Sequence, residues 1–199
     1  MPFNASGRRI LTLSRIATVG LLATFLSACS TTLSEVPSGF QSTPDCADDS
    51  RIEALQKCKL RVDANKACNP LKIAIFAGDR YHIEVPSGQR WKDWTRPETT
   101  PLEGEAGNWL MNLFRSFRHL PDEPWMVLGM TSSTCVEKLD TKGSCSATRV
   151  RVASASTSMA VPKPLTVCFF ANDVPLLNWN NRGAVWITVT RMPATDSLQ

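Results

Sequence analysis

Two β-like runs near the end of the chain decide its fold class: Leu165-Thr166-Val167-Cys168-Phe169-Phe170 and Ala184-Val185-Trp186-Ile187-Thr188-Val189-Thr190. Both are rich in β-branched and aromatic residues, which are typical of strands. Between them lies Ala171-Asn172-Asp173-Val174-Pro175-Leu176-Leu177-Asn178-Trp179-Asn180-Asn181-Arg182-Gly183, and its Asn, Asp, Pro and Gly residues are typical of turns. The stretch therefore predicts two strands joined by one polar loop.

The same kind of pattern recurs upstream. Tyr81, Ile83 and Val85 alternate with His82 and Glu84, which indicates a half-buried strand. Further short runs are Lys72-Ile73-Ala74-Ile75-Phe76, Pro124-Trp125-Met126-Val127-Leu128-Gly129 and Thr148-Arg149-Val150-Arg151-Val152. Several short strands separated by turn residues favour a mainly β fold, an antiparallel β-sandwich, over a parallel sheet with crossovers. We expect this sandwich over residues 70–193, followed by a tail over 194–199.

Two segments depart from the strand pattern. Ser50 precedes apolar residues at helical spacing, so residues 50–69 predict an N-terminal short helix that carries cysteines. Residues 107–120 predict one inserted amphipathic helix. Its apolar stripe consists of Trp109 or Leu110, then Leu113, Phe114, Phe117 and Leu120. This helix either covers the sheet or faces a partner or a membrane, the second option resting on Arg115 and Arg118 beside aromatic residues.

The first residues indicate export. A basic start with three arginines precedes a short apolar run from Ile16 to Ala28, which is typical of a signal peptide over residues 1–28. Leu26-Ser27-Ala28-Cys29 resembles the bacterial lipobox, which implies lipidation of Cys29 as the mature N-terminus. An ordinary cleaved signal with a chance cysteine is the alternative.

The lipobox resemblance also implies a location. Ser30 is not the aspartate that typically retains lipoproteins in the inner membrane, so we expect a lipid anchor in the bacterial outer membrane and a domain that faces the periplasm. Residues 29–49 are rich in Ser, Thr and Pro and predict a flexible tether between lipid and fold.

The charge of the mature part argues against one class of partner. The chain has 22 basic and 18 acidic residues, and three of the basic ones belong to the signal segment. The remainder is therefore close to neutral and lacks a basic stripe. We expect no nucleic acid partner, because such partners require clustered Lys and Arg.

The cysteine count suggests disulfides. Besides Cys29 there are six cysteines, and in an exported protein six suggest up to three disulfides. Cys135 and Cys145 flank a polar stretch and are the one pair that we single out. Zinc binding is the alternative, but the spacings are irregular and no histidine lies near.

The sequence favours a non-enzymatic protein. No Ser/His/Asp set and no glycine-rich phosphate loop stands out. Carboxylates in polar loops, such as Glu103, Glu105, Asp122 and Glu123, are expected to be solvated surface.

The polar loop itself is a candidate calcium site. Calcium takes six to eight oxygen ligands, and Asp, Asn and main-chain carbonyls suit it. Asp173 would supply a charge, Asn180 and Asn181 would supply amide oxygens, and Leu177 would supply a carbonyl. The same residue types also fit an ordinary turn with Asp173 capping a main-chain N–H.

The spacing in this loop has a known counterpart. Asn172-Asp173-Val174-Pro175, then four residues, then Asn180-Asn181, one residue and Gly183 before a final strand resembles the C-terminal segment of the galactose-binding bacterial lectins of the PA-IL type. The resemblance implies a small β-sandwich in which calcium bridges the protein and sugar hydroxyls. It places the ligands on Asp173, the main chain of Leu177, Asn180 and Asn181.

A second patch resembles the same family. Gly78-Asp79 is followed by a strand and by Gly88-Gln89-Arg90-Trp91-Lys92-Asp93-Trp94. The resemblance implies a further oxygen for the metal from Trp91, Lys92 or Asp93. We name Asp93 as the candidate ligand among these three. Trp91 and Trp94, with Asp173 and Asn180, are the candidate carbohydrate contacts.

Two functions follow as expectations. The first is a lipid-anchored carbohydrate-binding protein that uses calcium. The second is a non-catalytic scaffold lipoprotein of the envelope that uses the same fold to bind another protein.

Overall fold

The computed structural model describes residues 37–47, 51–133, 147–161 and 166–192. All of them belong to one compact unit, Leu33–Gln199, whereas a second unit, Met1–Thr32, lies outside the described residues. The signal segment, Cys29, the Cys135–Cys145 pair and the tail also lie outside, so what the sequence predicts for them stays a prediction.

Short strands dominate the described residues, together with one α-helix, α1 (Trp109–Leu113), and short 3-10 helices. The strands are β1 (Lys57–Asp63), β2 (Asn69–Pro70), β3 (Arg80–Glu84), β4 (Lys92–Asp93), β5 (Leu128–Ser133), β6 (Ala147–Arg151), β7 (Ser156–Ala160), β8 (Thr166–Ala171), β9 (Asn181–Arg182) and β10 (Ala184–Met192). The 3-10 helices are Ser38–Phe40, Arg115–Phe117 and Asn178–Asn180.

The strands form two four-stranded sheets, in the orders β1-β10-β3-β7 and β2-β8-β5-β6, and a two-stranded ladder of β4 and β9. Every strand pairing is antiparallel. One cluster of buried apolar side chains draws on both larger sheets, for example Ile83 and Val185 from the first and Met130 and Phe169 from the second. The predicted mainly β, antiparallel sandwich is confirmed.

Within the second sheet, β5 and β8 are buried on both faces, whereas β6 is largely exposed. Phe170 is fully buried and packs against the His119 ring, with the ring centroids 4.2 Å apart. A Cβ at Gly129 would lie 2.2 Å from the Phe170 ring, so glycine is required beside this phenyl group. The segment around His119 therefore lies over β8 and reaches the loop that follows it.

The helix predicted over residues 50–69 is wrong. Its middle part is β1, which pairs with β10 from Lys57↔Thr190 to Asp63↔Ala184. Cys58 and Val62 are buried while Lys57 and Arg61 are exposed, which fits a strand. The helical spacing of the apolar residues was coincidental, because this pairing with a distant strand decides the structure. The sandwich consequently begins before residue 70.

The tether predicted over residues 29–49 is also wrong for residues 37–47, the part of it that the structure describes. Cys46 is buried and forms a disulfide with Cys58, and Asp45 makes a β-bridge with Lys59. A second disulfide joins Cys68 to Cys168. The chain is thus fastened to the domain from about residue 44 onward.

The inserted helix exists, but it is shorter than predicted, and of the predicted apolar stripe only Leu120 is buried. Asn108 caps α1 by accepting a hydrogen bond from the Met111 N–H at 2.9 Å. No residue of α1 is fully buried; Met111 is half-buried against the core, whereas the other apolar side chains of the helix face solvent. Those exposed side chains, with two from the following turn, are Trp109, Leu110, Leu113, Phe114 and Phe117. Among the described residues, no helix is long and apolar enough to cross a membrane.

Candidate functional site

Three chain segments bring the predicted ligands together. Asp173 follows the end of β8, Asn180 ends the 3-10 helix Asn178–Asn180, and Asn181 begins β9. The ladder between β4 and β9 places Asp93 directly opposite Asn181. Residues opposite each other in an antiparallel pair have Cα atoms about 4.5–5.5 Å apart. The structure therefore joins the two sequence patches that resembled one family.

The two carboxylate oxygens of Asp173 differ in their hydrogen bonding. Its side chain is 3% exposed, and Oδ1 accepts a hydrogen bond from the Val174 N–H at 2.6 Å. Oδ2 is buried and has no hydrogen-bond partner. Burial raises the pKa of this carboxyl group, and the Val174 N–H, the Asn181 side chain and the Arg118 charge oppose that shift.

Asn181 presents its amide oxygen in the same unpartnered way. Its Nδ2 donates to the Ala64 carbonyl at 3.2 Å, which fixes the orientation of the amide group. Oδ1 is then buried without a partner, as is Oδ1 of Asn180. Buried polar atoms almost always have a hydrogen-bond partner, so three such oxygens on neighbouring residues require an explanation.

The role predicted for Leu177 involves its backbone carbonyl. Its carbonyl accepts one hydrogen bond, from the Asn180 N–H at 3.1 Å. A carbonyl oxygen has two lone pairs, so one acceptor position remains. The side chain of Leu177 is exposed and takes no part.

Asp93 lies in a negative environment. The pKa of its carboxyl group is raised to about 6, first by burial, then by the charges of Asp173 and Glu105, while Arg96 acts in the opposite direction. Carboxylates that raise one another's pKa values attract a cation, because a cation offsets their repulsion.

Glu105 is the residue that the sequence missed. Solvated surface was expected for it, but its side chain is only 14% exposed and its Oε1 is buried without a partner. Its Oε2 accepts two hydrogen bonds from Arg96, at 3.0 and 3.1 Å. A β-bridge to Trp125 brings Glu105 inward, and no local pattern around residue 105 reveals that contact.

Asn172, quoted with the motif, has a structural role. It is fully buried, and its side chain accepts from the Leu120 N–H at 2.8 Å and donates to the carbonyls of Leu120 and Pro124 at 3.0 and 2.8 Å. These three bonds fasten the end of β8 to residues 120–124 and so hold Asp173 in place.

Trp91 is not a carbohydrate contact, which corrects that prediction. Its indole is 1% exposed and its Nε1 donates to the Met126 carbonyl at 2.7 Å. Gly183, at φ +93°, packs so closely on Trp91 that a Cβ there would lie 3.1 Å from the Trp91 Cα. Trp91 is thus a core residue that supports the ladder of β4 and β9, while Trp94 is exposed.

The donor set suits a hard cation bound by oxygen. In the described part of the chain, no group of three or more His, Cys, Asp or Glu residues could hold a metal ion. The unpartnered oxygens come from two amides, Asn180 and Asn181, and from two carboxylates, Asp173 and Glu105, and calcium accepts such a mixture. Asp93 and Glu105 lie close enough to add negative charge.

Comparison with known proteins gives only a weak structural similarity. No protein-family model matches the chain, and no curated protein matches its sequence. Among solved structures, the chain is similar to one described as "EclA N-terminal domain; PllA-like lectin", at a TM-score of 0.41 and 18% identity, over 67% of this chain and 94% of that chain. Similarity at this level does not transfer a ligand, because function belongs to the residues of a site.

Proposed function

We propose that the protein is a calcium-dependent carbohydrate-binding protein of the cell envelope, with its site at Asp173, Asn180 and Asn181. One observation carries the proposal: these three residues each hold a buried side-chain oxygen without a hydrogen-bond partner. They are also the side-chain positions at which the sequence resembles the ligand set of a calcium-dependent lectin family.

A cation accounts for these oxygens better than an ordinary turn does. A turn would satisfy them with backbone N–H groups, whereas leaving each one unpaired costs about 1–3 kcal/mol. All three oxygens are hydrogen-bond acceptors, so they do not suit an anion or an apolar group. A bound calcium ion would be ligated by them and by the Leu177 carbonyl.

Some of these residues would contribute negative charge to the site, and others would fix the orientation of its oxygens. Asp173 supplies the buried charge, and Asp93 and Glu105 add to the negative potential around it. The bond from Asn181 to the Ala64 carbonyl holds its oxygen in one orientation. When bound, calcium supplies open coordination positions that hydroxyl oxygens of a sugar can take.

Calorimetry tests this proposal. Wild-type protein freed of metal with a chelator is titrated with calcium and then with methyl β-galactopyranoside. We expect calcium binding in the wild type and its loss in Asp173→Asn, which keeps the shape of the side chain but removes its charge. Asp122→Asn is the matched control, because that carboxylate is 95% exposed.

The outcomes are distinct. Absence of calcium binding by the folded wild type contradicts the metal site. Calcium binding without any sugar binding leaves the metal site standing and contradicts the carbohydrate function. Urea unfolding of each variant shows whether a lost signal comes from a lost fold.

The anchor is part of the same proposal. The basic start, the apolar run and Leu26-Ser27-Ala28-Cys29 support lipidation of Cys29 and attachment to the bacterial outer membrane, with the domain facing the periplasm. Metabolic labelling with a fatty-acid analogue should mark the wild type and not Cys29→Ala. Protease treatment of intact cells tests the orientation, since a periplasmic domain is protected until the outer membrane is permeabilised.

A second function is supported by α1. The exposed Trp and Leu side chains of α1, with the Phe side chains of the following turn, are apolar surface of the kind found at protein interfaces. An envelope scaffold would bind its partner through such a surface without calcium. Recovery of the same partner from membranes with and without chelator favours this function, whereas release by the chelator favours the calcium site.

A further inference from the structure

Four large apolar side chains are exposed in the segments that carry the candidate calcium ligands. Trp94 is 63% exposed and Trp179 is 77% exposed, and Leu176 and Leu177 are exposed beside them. Tryptophan is largely buried on average, so two exposed indoles in this position are unusual. Neither indole is needed for the core.

Both tryptophans lie at the same end of one ladder. The pairing of Asp93 with Asn181 is the last one between β4 and β9. Trp94 follows Asp93 in the chain, and Trp179 and Asn180 precede Asn181, so both tryptophans adjoin the ladder at this end. Each indole is therefore attached within one or two residues of a candidate ligand, about 4–7 Å along the backbone.

The backbone at Trp94 is strained in a way that the core does not require. Its φ is +40°, in the left-handed region that glycine, asparagine and aspartate favour. The Arg96 N–H donates to the Asp93 carbonyl at 2.8 Å and closes a turn with Trp94 at its second position. A bulky residue in such a position is a reason to look for function, because strain persists where it serves a site.

Trp179 is held by its neighbours and not by its own side chain. Asn178 before it is buried, and with its amide oriented to suit its surroundings it donates to the Val174 carbonyl at 3.1 Å and accepts from the Ala67 N–H at 3.3 Å. Asn180 after it is half-buried. A fixed backbone thus presents an exposed indole next to the oxygen cluster, which lowers the entropy lost when a ligand contacts that ring.

We propose that Trp94 and Trp179 form a stacking surface for the C–H face of a pyranose whose hydroxyls reach the calcium ion. This inference rests on the proposed function, which it deepens by naming the ligand class: cyclic saccharides with a contiguous C–H face. An indole suits such a face because it is apolar across its ring and polar at its N–H. An acyclic polyol with the same hydroxyls lacks the face and gains little from the rings.

Alanine variants of both tryptophans test the inference against a matched control. Trp109 on α1 is 76% exposed, as Trp179 is, but lies in a different segment, so Trp109→Ala controls for loss of an exposed indole. Calorimetry with calcium and then with methyl β-galactopyranoside or galactitol is run on each variant and on the conservative Trp179→Phe. Calcium affinity is the readout that a merely structural role would move.

The expected result is specific to the sugar. Trp94→Ala and Trp179→Ala should each weaken binding of the pyranoside roughly threefold to tenfold, which is the range of one aromatic contact. Calcium affinity should stay unchanged, Trp179→Phe should keep most of the sugar affinity, and Trp109→Ala should equal wild type. Galactitol should bind more weakly than the pyranoside to wild type and about equally to wild type and both alanine variants.

Three failures are distinguishable. If wild type binds the pyranoside and both alanine variants bind it equally well, the stacking surface is refuted and the carbohydrate function stands. If calcium-loaded wild type binds no pyranoside, the carbohydrate function is refuted and the stacking surface with it. A loss of calcium affinity in either alanine variant makes the indole a support of the metal site and also overturns the inference.

Discussion

Adjacent polar residues in the loop after β8 have opposite roles, which is visible only at the scale of single atoms. Every side-chain polar atom of Asn172 is hydrogen-bonded, whereas Asp173 keeps one buried oxygen without a partner. A satisfied group stabilises the fold, and an unsatisfied one is available to a ligand. Sequence spacing identified both residues but did not separate these roles.

Asn172→Ala should therefore destabilise the protein strongly. The substitution leaves the Leu120 N–H and two carbonyls buried without partners, so we expect a loss of about 3 kcal/mol in the free energy of unfolding. Urea unfolding measures it. Asn112→Ala on exposed α1 is the control and should change stability by less than about 0.5 kcal/mol. A loss below about 1 kcal/mol in Asn172→Ala would show that water replaces the lost bonds.

A buried ion pair makes the stability of the fold decrease at acid pH. Arg191 donates to both oxygens of Asp79, at 2.9 and 3.0 Å, and this interaction is the main cause that lowers the pKa of Asp79 below its ordinary 3.8. The unfolded state then binds this proton more readily than the folded state. The contribution of the pair is present above about pH 3.8 and is lost as pH falls through the lower folded pKa.

Unfolding free energies measured in urea between pH 5 and pH 2, with chelator present, should show this loss in wild type. Asp79→Asn should have a shallower acid slope, because the titrating group is gone. Asp122→Asn, at an exposed position, should retain the wild-type slope. Equal slopes in all three proteins would contradict the role of the Asp79–Arg191 pair.

At the scale of elements, local pattern predicted strands well and helices poorly. The alternation around Tyr81 gave β3, and the runs flanking the polar loop gave β8 and β10. The residues of β1 instead suggested a helix, because their partner strand lies more than 120 residues away in the chain. Lys72–Phe76, predicted as a strand, has only a single bridge residue at position 73.

The candidate site was likewise predicted where its residues are close in sequence and missed where they are distant. Asp173, Asn180 and Asn181 lie within one loop, so their spacing was visible in the sequence. Asp93 came from a second patch, and the ladder of β4 and β9 supplies the contact that spacing alone could not. Glu105 was missed because a bridge to Trp125, 20 residues onward, brings it inward.

The exposed apolar face of α1 should contribute little to folding. Leu113 faces solvent, so Leu113→Ala should cost less than about 1 kcal/mol, mainly through helix propensity and minor contacts. Leu128 in β5 is fully buried, and Leu128→Ala should cost about 3 kcal/mol through lost burial and a cavity. Urea unfolding compares them, and equal losses would mean that α1 packs on the domain in solution.

At the scale of the whole molecule, two disulfides within the described residues fasten chain segments to the sandwich. Cys46–Cys58 closes a separation of 12 residues, and Cys68–Cys168 closes one of 100. Because a cross-link restricts the unfolded chain more when its loop is longer, the second should stabilise more. The Cys68→Ala, Cys168→Ala variant should lose about 5 kcal/mol and the Cys46→Ala, Cys58→Ala variant about 3 kcal/mol. Unfolding in urea measures both, and a larger loss in the second variant would contradict this ranking.

At the loop after β8, the sandwich supports two strand ends, one short ladder and three oxygens without hydrogen-bond partners. The calcium site is tested most directly by a crystal structure of the domain grown with calcium, with the metal identified by its anomalous scattering. We expect one calcium ion within about 2.3–2.6 Å of the side-chain oxygens of Asp173, Asn180 and Asn181. Water molecules hydrogen-bonded to those oxygens, with no metal between them, would contradict it.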